Sequence, residues 1–333
     1  MKKTILAVVT TSLFAASANA AVVYDKDGQQ LDVNGRIQYL AGQIKGDDNF
    51  GGDTLARFGF AGKQATGYND VALIGKLEWE VSAENDDKEA DSFVNRYAFV
   101  GADFANGVQA TVGTQDSAFV ELSDVTDVYN EYSGLIENNF DSRWDDSVKV
   151  TYAADGWDLR SSVSFSDQAK ADTNTKLQNE YSAAAGYTFQ IDDISSLKSV
   201  LAYQAKVGET AGVDYTDSQY AAGVGYTYDA YYLATTYGQV QHDTDTAGAD
   251  TTSTVWAVTG TYKVQPDWTL VAGYGLVDPH NSATTTGETS KYYVLGVQYD
   301  ITAKAKTYAE YKIDDVDGNG EDDNYYVGLQ YNF

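Results

Sequence analysis

Residues 324–333 read Asn-Tyr-Tyr-Val-Gly-Leu-Gln-Tyr-Asn-Phe, and this stretch shows the clearest strand pattern in the chain. The even-numbered positions are mostly polar or small, whereas the odd-numbered positions carry Tyr325, Val327, Leu329, Tyr331 and Phe333. Because successive side chains point to opposite faces of a β-strand, the stretch predicts a strand with one apolar and one polar face. One face suits lipid and the other suits water.

The same period of two recurs upstream, for example over residues 71–81, 219–228, 256–264 and 303–313. In the first of these, Lys76, Glu78 and Glu80 alternate with Leu77 and Trp79. We predict sixteen strands, centred near residues 37, 59, 76, 98, 111, 150, 161, 184, 201, 222, 235, 259, 272, 295, 308 and 329. A soluble β-sandwich shows the same alternation, so alternation alone does not exclude that class.

The connections between the predicted strands favour a membrane barrel over a sandwich. Short turns are predicted at 65–69, 104–107, 153–156, 190–195, 228–230, 264–267 and 300–303. Longer acidic or Gly/Thr-rich connections are predicted at 45–53, 82–91, 167–178, 242–252, 278–288 and 314–323. An even strand number with short turns at one rim and long loops at the other is typical of outer-membrane proteins. The sequence therefore predicts an all-β, 16-stranded antiparallel transmembrane β-barrel.

One connection is much longer than the others. Roughly thirty residues separate the strand that ends near Thr114 from the strand that begins near Ser147. A loop of this length in a compact domain is usually functional or disordered, and its apolar residues disfavour disorder. Those residues include Val125, Leu135, Ile136 and Phe140. We expect this third extracellular loop to fold inward and lie against the barrel lumen.

The first twenty residues resemble a secretory signal peptide. Lys2 and Lys3 precede a short apolar run, and Ala18-Asn19-Ala20 is a small-residue cleavage site. The run is too short to span a bilayer as a helix. We predict cleavage after Ala20, with residues 21–333 forming a single transmembrane barrel domain.

Composition narrows the possible functions. Removing Lys2 and Lys3 changes the formal charge from −27 to −29, which disfavours binding to nucleic acid. There is no Cys and there are only two His, His242 and His280, both in predicted loops. No catalytic constellation, metal site or cofactor is therefore expected. Glu78 and Glu80 share a strand face, and we interpret them as lumen lining rather than as a glycosidase pair.

Five short motifs together resemble the general, non-specific diffusion porins of Gram-negative bacteria, nearest to those of enteric and Vibrio-like species. The motifs span residues 23–28, 56–62, 95–101, 125–132 and 331–333. In this order and spacing they cover essentially the whole mature chain. The family often carries Pro-Glu-Phe-Gly-Gly in its third loop, whereas residues 130–134 here read Asn-Glu-Tyr-Ser-Gly. The course of the backbone there is expected to differ.

The resemblance implies a homotrimer whose third loop narrows each pore with acidic residues opposite a basic wall. By motif match the acidic residues are Asp127 and Glu131, with Asp124 and Glu121 adding charge, and the basic residues are Arg36, Arg57, Arg96 and Arg143. Strand parity agrees for three arginines, because each is predicted on the strand face opposite to its apolar neighbours. Arg36 alternates with Ile37 and Tyr39, and Arg57 alternates with Phe58 and Phe60. Arg96 alternates with Tyr97 and Phe99. Phe333 and Tyr331 resemble the C-terminal signal read by the barrel assembly machinery.

The function that follows is an outer-membrane channel for passive diffusion of ions and small hydrophilic solutes, with weak cation selectivity. The expected surroundings are outer-membrane lipid and lipopolysaccharide. A substrate-selective sugar channel and a non-conducting, barrel-anchored adhesin remain alternatives. Most aromatic residues fall on the apolar parity, which disfavours an aromatic sugar track in the lumen.

Overall fold

The computed structural model describes residues 21–43, 50–82, 93–132, 140–165, 168–170, 175–246, 249–281, 289–316 and 324–333. The predicted signal peptide and parts of several predicted loops lie outside the described residues. The described part of the chain contains one short helix, α1 (Val120–Ser123), and the following strands: β1 (Ala21–Lys26), β2 (Gln29–Gln43), β3 (Phe50–Ala65), β4 (Ala72–Ser82), β5 (Phe93–Asp103), β6 (Val108–Asp116), β7 (Arg143–Ala154), β8 (Trp157–Ser164), β9 (Gln168–Lys170), β10 (Thr175–Gln190), β11 (Ser195–Thr210), β12 (Val213–Tyr228), β13 (Tyr231–Thr244), β14 (Thr251–Gln265), β15 (Trp268–Asn281), β16 (Ser290–Thr302), β17 (Ala305–Val316) and β18 (Asn324–Asn332).

The strands form one closed antiparallel barrel with sixteen strand positions. Each strand pairs with the next along the chain, and the barrel closes where β18 pairs with β2 from Tyr325↔Gln43 to Asn332↔Arg36. Two short strands share a position with another strand. β1 pairs with β2 beyond the end of β18, and β9 follows β8 along the edge of β10. Closure leaves the barrel wall without an edge strand that could pair with other chains.

All sixteen predicted strands are confirmed, and β3, β10, β13 and β15 are among those that extend further toward the long connections than the sequence predicted. We call that end of the barrel the loop rim and the opposite end the turn rim. His242 and His280, predicted in loops, lie in β13 and β15. The loop-rim connection between β11 and β12 is a two-residue turn, Ala211-Gly212, in which both residues have positive φ (53° and 84°). Such a turn matches the twist of the paired strands.

The two faces of the wall differ in side-chain burial. On β2, Ile37 and Tyr39 are each 52% exposed, whereas Gln38 and Leu40 on the other face are 2% and 7% exposed. The exposed face carries most of the large apolar and aromatic side chains. The other face, which we call the inner face, carries the buried polar residues, including Glu310. A polar interior inside an apolar exterior is the arrangement of membrane barrels.

No helix in the described residues is long and apolar enough to cross a bilayer.

The main apolar cluster lies inside the barrel, where Phe119, Leu122 and Val125 pack on side chains of β10 to β14. These three residues belong to the segment between β6 and β7, residues 117–142, which we call the long loop.

Candidate functional site

Basic side chains cluster on the inner face of β2 to β5. Arg36 and Arg57 are direct cross-strand partners, although like charges placed opposite each other normally destabilise a sheet. Arg57 binds Glu80 through its Nε atom. The Glu80 carboxylate therefore offsets part of the repulsion between the two guanidinium groups.

The arginines and two glutamates of β4 form one ion-pair network. Arg96 Nε lies 3.1 Å from Glu78 Oε1, and Arg96 Nη1 lies 3.2 Å from Glu80 Oε2. Lys76 Nζ lies 3.1 Å from Glu78 Oε2. The glutamates therefore neutralise part of the basic wall and hold its side chains in place, while Arg57 and Arg96 keep 23% and 15% of their side-chain area exposed.

The parity argument for Arg96 was wrong, although the side chain does point inward. A β-bulge shifts the register between β4 and β5, so that Glu78 pairs with Tyr97 and Trp79 pairs with Asn95. Phe99 is 7% exposed and lies opposite Lys76 on the inner face, and Lys76 Nζ sits 3.8 Å from the Tyr97 ring centroid. A bulge places two residues of one strand against one of its partner, so Arg96 and Tyr97 share the inner side.

Arg143 lies at the start of β7, at the base of the long loop. It pairs in register with Asp116, and its Nε atom is 3.6 Å from Asp116 Oδ1. The Tyr97 hydroxyl donates to the same carboxylate at 2.7 Å. The two ends of the loop are also tied by a backbone hydrogen bond from Ser117 N to Ser142 O (2.8 Å).

The first half of the long loop packs on a floor of small residues. Its apolar side chains contact inner-face residues of five neighbouring strands, namely Ala184, Val200, Ala202, Ala221, Ala234, Val240 and Val255. Glycines lie directly beneath the loop: a Cβ added at Gly223 would come within 3.0 Å of Leu122 Cδ1, and one at Gly273 would collide with the Tyr129 hydroxyl. Each fully buried apolar side chain contributes roughly 1.5–3 kcal/mol.

Glu121 anchors the same half of the loop by charge. Its side chain is buried, and it forms ion pairs with Arg160 of β8 and with Lys198 of β11, the latter at 2.5 Å. Arg160 also binds Asp158 at 2.7 Å. Glu121 thus lies against the wall on β8 and β11 and is not brought together with Arg36, Arg57 and Arg96.

The tip of the long loop is held by β17 and β2. Glu310 on β17 accepts hydrogen bonds from the backbone nitrogens of Asn130 (2.6 Å) and Glu131 (3.0 Å). Glu131 Oε1 accepts from Gln38 Nε2 (2.6 Å) and from the Tyr308 hydroxyl. Because Gln38 and Arg36 share the inner face of β2, the Glu131 carboxylate is brought to the basic wall.

Asp124 and Asp127 are exposed residues of the same loop. Asp127 follows α1 and its backbone nitrogen donates to Ser123 O (3.1 Å). Burial raises the pKa of the Glu131 carboxyl; the Tyr308 hydrogen bond opposes this shift and the Glu310 carboxylate adds to it.

Several residues of the site were missed by sequence reasoning. Glu310, Gln38, Tyr308 and Lys306 hold the loop tip, Lys306 by bonding Asn130 Oδ1. The sequence indicated only that these residues lie on the inner face, through the alternation of polar and apolar residues along β2 and β17. Nothing local in the sequence indicates their partner, which lies 93 residues after Gln38 and 176 to 180 residues before the three β17 residues.

Comparison with known proteins finds relatives that align along nearly the whole chain. A family profile described as Gram-negative porin matches residues 4–319. The outer membrane protein F of Serratia marcescens is 27% identical over 376 residues, covering 100% of both chains.

Solved structures share the fold at lower identity. A trimer form of OmpT, an outer membrane protein of Vibrio cholerae, superposes with a TM-score of 0.73 at 20% identity, covering 92% of this chain and 100% of that one. An anion-selective porin from Comamonas acidovorans has a TM-score of 0.75 at 14% identity, with coverage of 92% and 100%.

Proposed function

Because this chain belongs to the family of Gram-negative porins, and so is a multi-pass β-barrel protein of the outer membrane, we propose that it is a passive, water-filled channel for ions and small hydrophilic solutes. The observation that carries the proposal is the part-exposed arginine wall of β2 to β5, opposite a loop whose first half is fixed to β8 and β10 to β14 and whose tip is held by β17 and β2. A polar interior lined with both signs of charge suits transfer of hydrated solutes. Neither a catalytic role nor a dedicated sugar pathway has comparable support.

The narrow zone of the channel is proposed to lie between the long loop and the basic wall. Asp127 and Glu131, with the exposed Asp124, supply its acidic side. Arg36, Arg57 and Arg96 supply its basic side, and Arg143 stands at the base of the loop. Glu121 belongs to the anchor of the loop in this proposal and does not line the pore.

Conductance of the purified protein in planar bilayers tests the channel. Discrete current steps in KCl are expected, because a fixed lumen of constant width conducts in fixed increments. An assembled, heat-modifiable barrel that never conducts would instead favour an anchored structural protein. Partial block by maltodextrins at low concentration would favour the sugar-selective alternative.

Weak cation selectivity is the finer part of the proposal. At physiological salt the screening length is about 8 Å, so charges in the narrow zone act more strongly on a passing ion than distant loop charges do. Glu78 and Glu80 neutralise part of the basic wall, and the mature chain carries a large negative charge that concentrates cations at the mouth. The fold alone does not fix the sign, since the Comamonas acidovorans porin is anion-selective.

Neutralising the loop acids tests the origin of selectivity. Asp127→Asn with Glu131→Gln should shift the reversal potential in a salt gradient toward anions, because it removes negative charge beside the basic wall. Asp322→Asn with Asp323→Asn, between β17 and β18, is the matched control with the same change in net charge. A larger shift from the control pair would show that the overall charge of the molecule sets selectivity.

Two further features complete the proposal. Residues 1–20 are a signal peptide, and an intact mass that begins at Ala21 is the expected result for the mature protein. The channel assembles as a homotrimer, in line with the trimer form of the Vibrio cholerae structure. Lipopolysaccharide, outer-membrane lipid and the barrel assembly machinery are its proposed partners in the cell.

A further inference from the structure

A small cavity opens on the inner face of β2 and β3, on the loop-rim side of the arginines. Its volume is about 250 Å³, and its lining includes Leu40, Leu55, Tyr326, Gly51, Asp53 and Glu131. From the Arg36–Arg57 pair toward the loop rim, the inner-face pairs are Gln38–Leu55, Leu40–Asp53 and Gly42–Gly51. At about 3.3 Å per residue, Asp53 lies roughly 13 Å along the strand from Arg57. A solute entering from the loop rim therefore passes this cavity before the arginines.

The floor of the cavity is apolar. Leu40 is 7% exposed, and the Tyr326 ring packs against the Tyr132 ring of the long loop with centroids 5.5 Å apart. A Cβ added at Gly51 would meet no atom within 4 Å, so the space above this residue is open. A water molecule occupies about 30 Å³ in the liquid, so the cavity holds about eight waters or one small ring with a short substituent.

The charge around the cavity is negative. Two carboxylates line it, and no lysine or arginine is among its lining residues. Within the described part of the chain, the Asp53 carboxylate makes no hydrogen bond or ion pair, whereas Glu131 Oε1 already accepts from Gln38 and Tyr308. Asp53 therefore offers a carboxylate beside an apolar floor.

We propose that this cavity is a binding site for a small organic ammonium ion, in which a primary amine contacts Asp53 and an apolar ring lies between Leu40, Leu55 and Tyr326. The proposal rests on the proposed channel function only in that the ligand reaches the site through the lumen. Apolar burial supplies part of the affinity, and the charge-assisted hydrogen bond selects cations over neutral molecules of the same shape.

Single-channel recording with matched probes tests the site. Phenethylammonium added at the loop rim should interrupt the current, whereas 2-phenylethanol, which has the same ring without the charge, should require about tenfold higher concentration. Asp53→Asn should weaken the ammonium effect by about tenfold, and Gly51→Leu should abolish it by filling the open space. Asp278→Asn on β15 removes a carboxylate near the same rim away from the cavity and should leave block unchanged.

The opposite results are equally informative. Equal block by the alcohol, or block that survives both Asp53→Asn and Gly51→Leu, would overturn the proposal. If Gly51→Leu does not assemble, Gly51→Ala provides a smaller filling and should weaken block. If the protein forms no channels, the channel function fails separately, and calorimetric titration of the folded barrel with phenethylammonium, with and without Asp53→Asn, still decides whether the site exists.

Discussion

At the scale of single residues, the basic wall and the loop tip are two linked networks that depend on partners from distant parts of the chain. Glu80 forms ion pairs with both Arg57 and Arg96, so its negative charge neutralises positive charge within the basic wall. Glu131 is bonded through Oε1 to Gln38 and Tyr308, next to Arg36 on β2. Because burial raises the pKa of the Glu131 carboxyl, we expect its protonation state to change under mild acid.

We predict an acid-induced loss of cation preference that depends on Glu131. Burial raises the pKa of this carboxyl, so as pH falls it takes up a proton at a higher pH than an exposed glutamate does. Protonation removes one negative charge from the narrow zone, and the reversal potential should shift toward anions. Measured from pH 7 to pH 4, the shift should begin earlier in the wild type than in Glu131→Gln. Identical titration curves for the two proteins would assign the effect to other carboxyls.

At the scale of elements, the long loop is shaped by what lies beneath it. Strands β10 to β15 present alanine, valine and glycine where the loop packs on them. Tyr129 lies over Gly273 and Leu122 over Gly223. Glu310 then fixes the tip by bonding two consecutive backbone nitrogens. The loop is therefore attached at its base, along its first half and at its tip.

We predict that Gly273→Ala displaces the long loop without opening the barrel. The new Cβ would collide with the Tyr129 hydroxyl, and overpacking of this kind costs about 1–3 kcal/mol. Single-channel conductance should increase and become noisier, while heat-modifiable migration is retained. Adding Tyr129→Phe should restore part of the wild-type behaviour. Gly62→Ala is the control, because the nearest neighbour of its new Cβ would lie 3.9 Å away, an ordinary contact distance; the same effect from both glycines would contradict the mechanism.

The strands could be predicted from the sequence because the period of two is local and persists over each strand. Arg36 and Arg57 were oriented correctly for that reason. The rule fails at the bulge beside Arg96, since one extra residue reverses the parity of Tyr97 and Phe99. The same rule cannot predict which residues hold the loop tip, because the hydrogen bonds of Glu131 to Gln38 and Tyr308 join residues that are 93 and 177 positions apart. β1 and β9 are too short for a clear period.

At the scale of the whole molecule, both ends of the described chain meet on one strand. β1 and β18 pair with the same edge of β2, and Phe333 exchanges two backbone hydrogen bonds with Gly35, at 2.9 and 3.1 Å. The Phe333 ring occupies the space where Gly35 lacks a side chain. The last residue thus completes the pairing that closes the barrel.

We predict that deleting Phe333 slows assembly in cells. The deletion removes two hydrogen bonds at the closing pair, each worth about 1 kcal/mol, together with the packing of the ring on Gly35. The amount of heat-modifiable oligomer formed after a pulse of synthesis is the measurement. Phe333→Tyr, which keeps the ring and the backbone bonds, is the control and should assemble near the wild-type rate. Unchanged kinetics for the deletion would show that closure tolerates a frayed end.

The seam between β2 and β18 also determines when folding can finish. Residues 36–43 pair with residues 325–332, so the closing contacts join positions separated by nearly the full length of the chain. Contacts of such high sequence separation form late and slowly, because the entropy of the long intervening chain is lost before they add stability. The first barrel strand therefore waits for the last to be synthesised. During that interval its unpaired edge is open to aggregation, and the chain depends on being kept unfolded until it reaches the membrane.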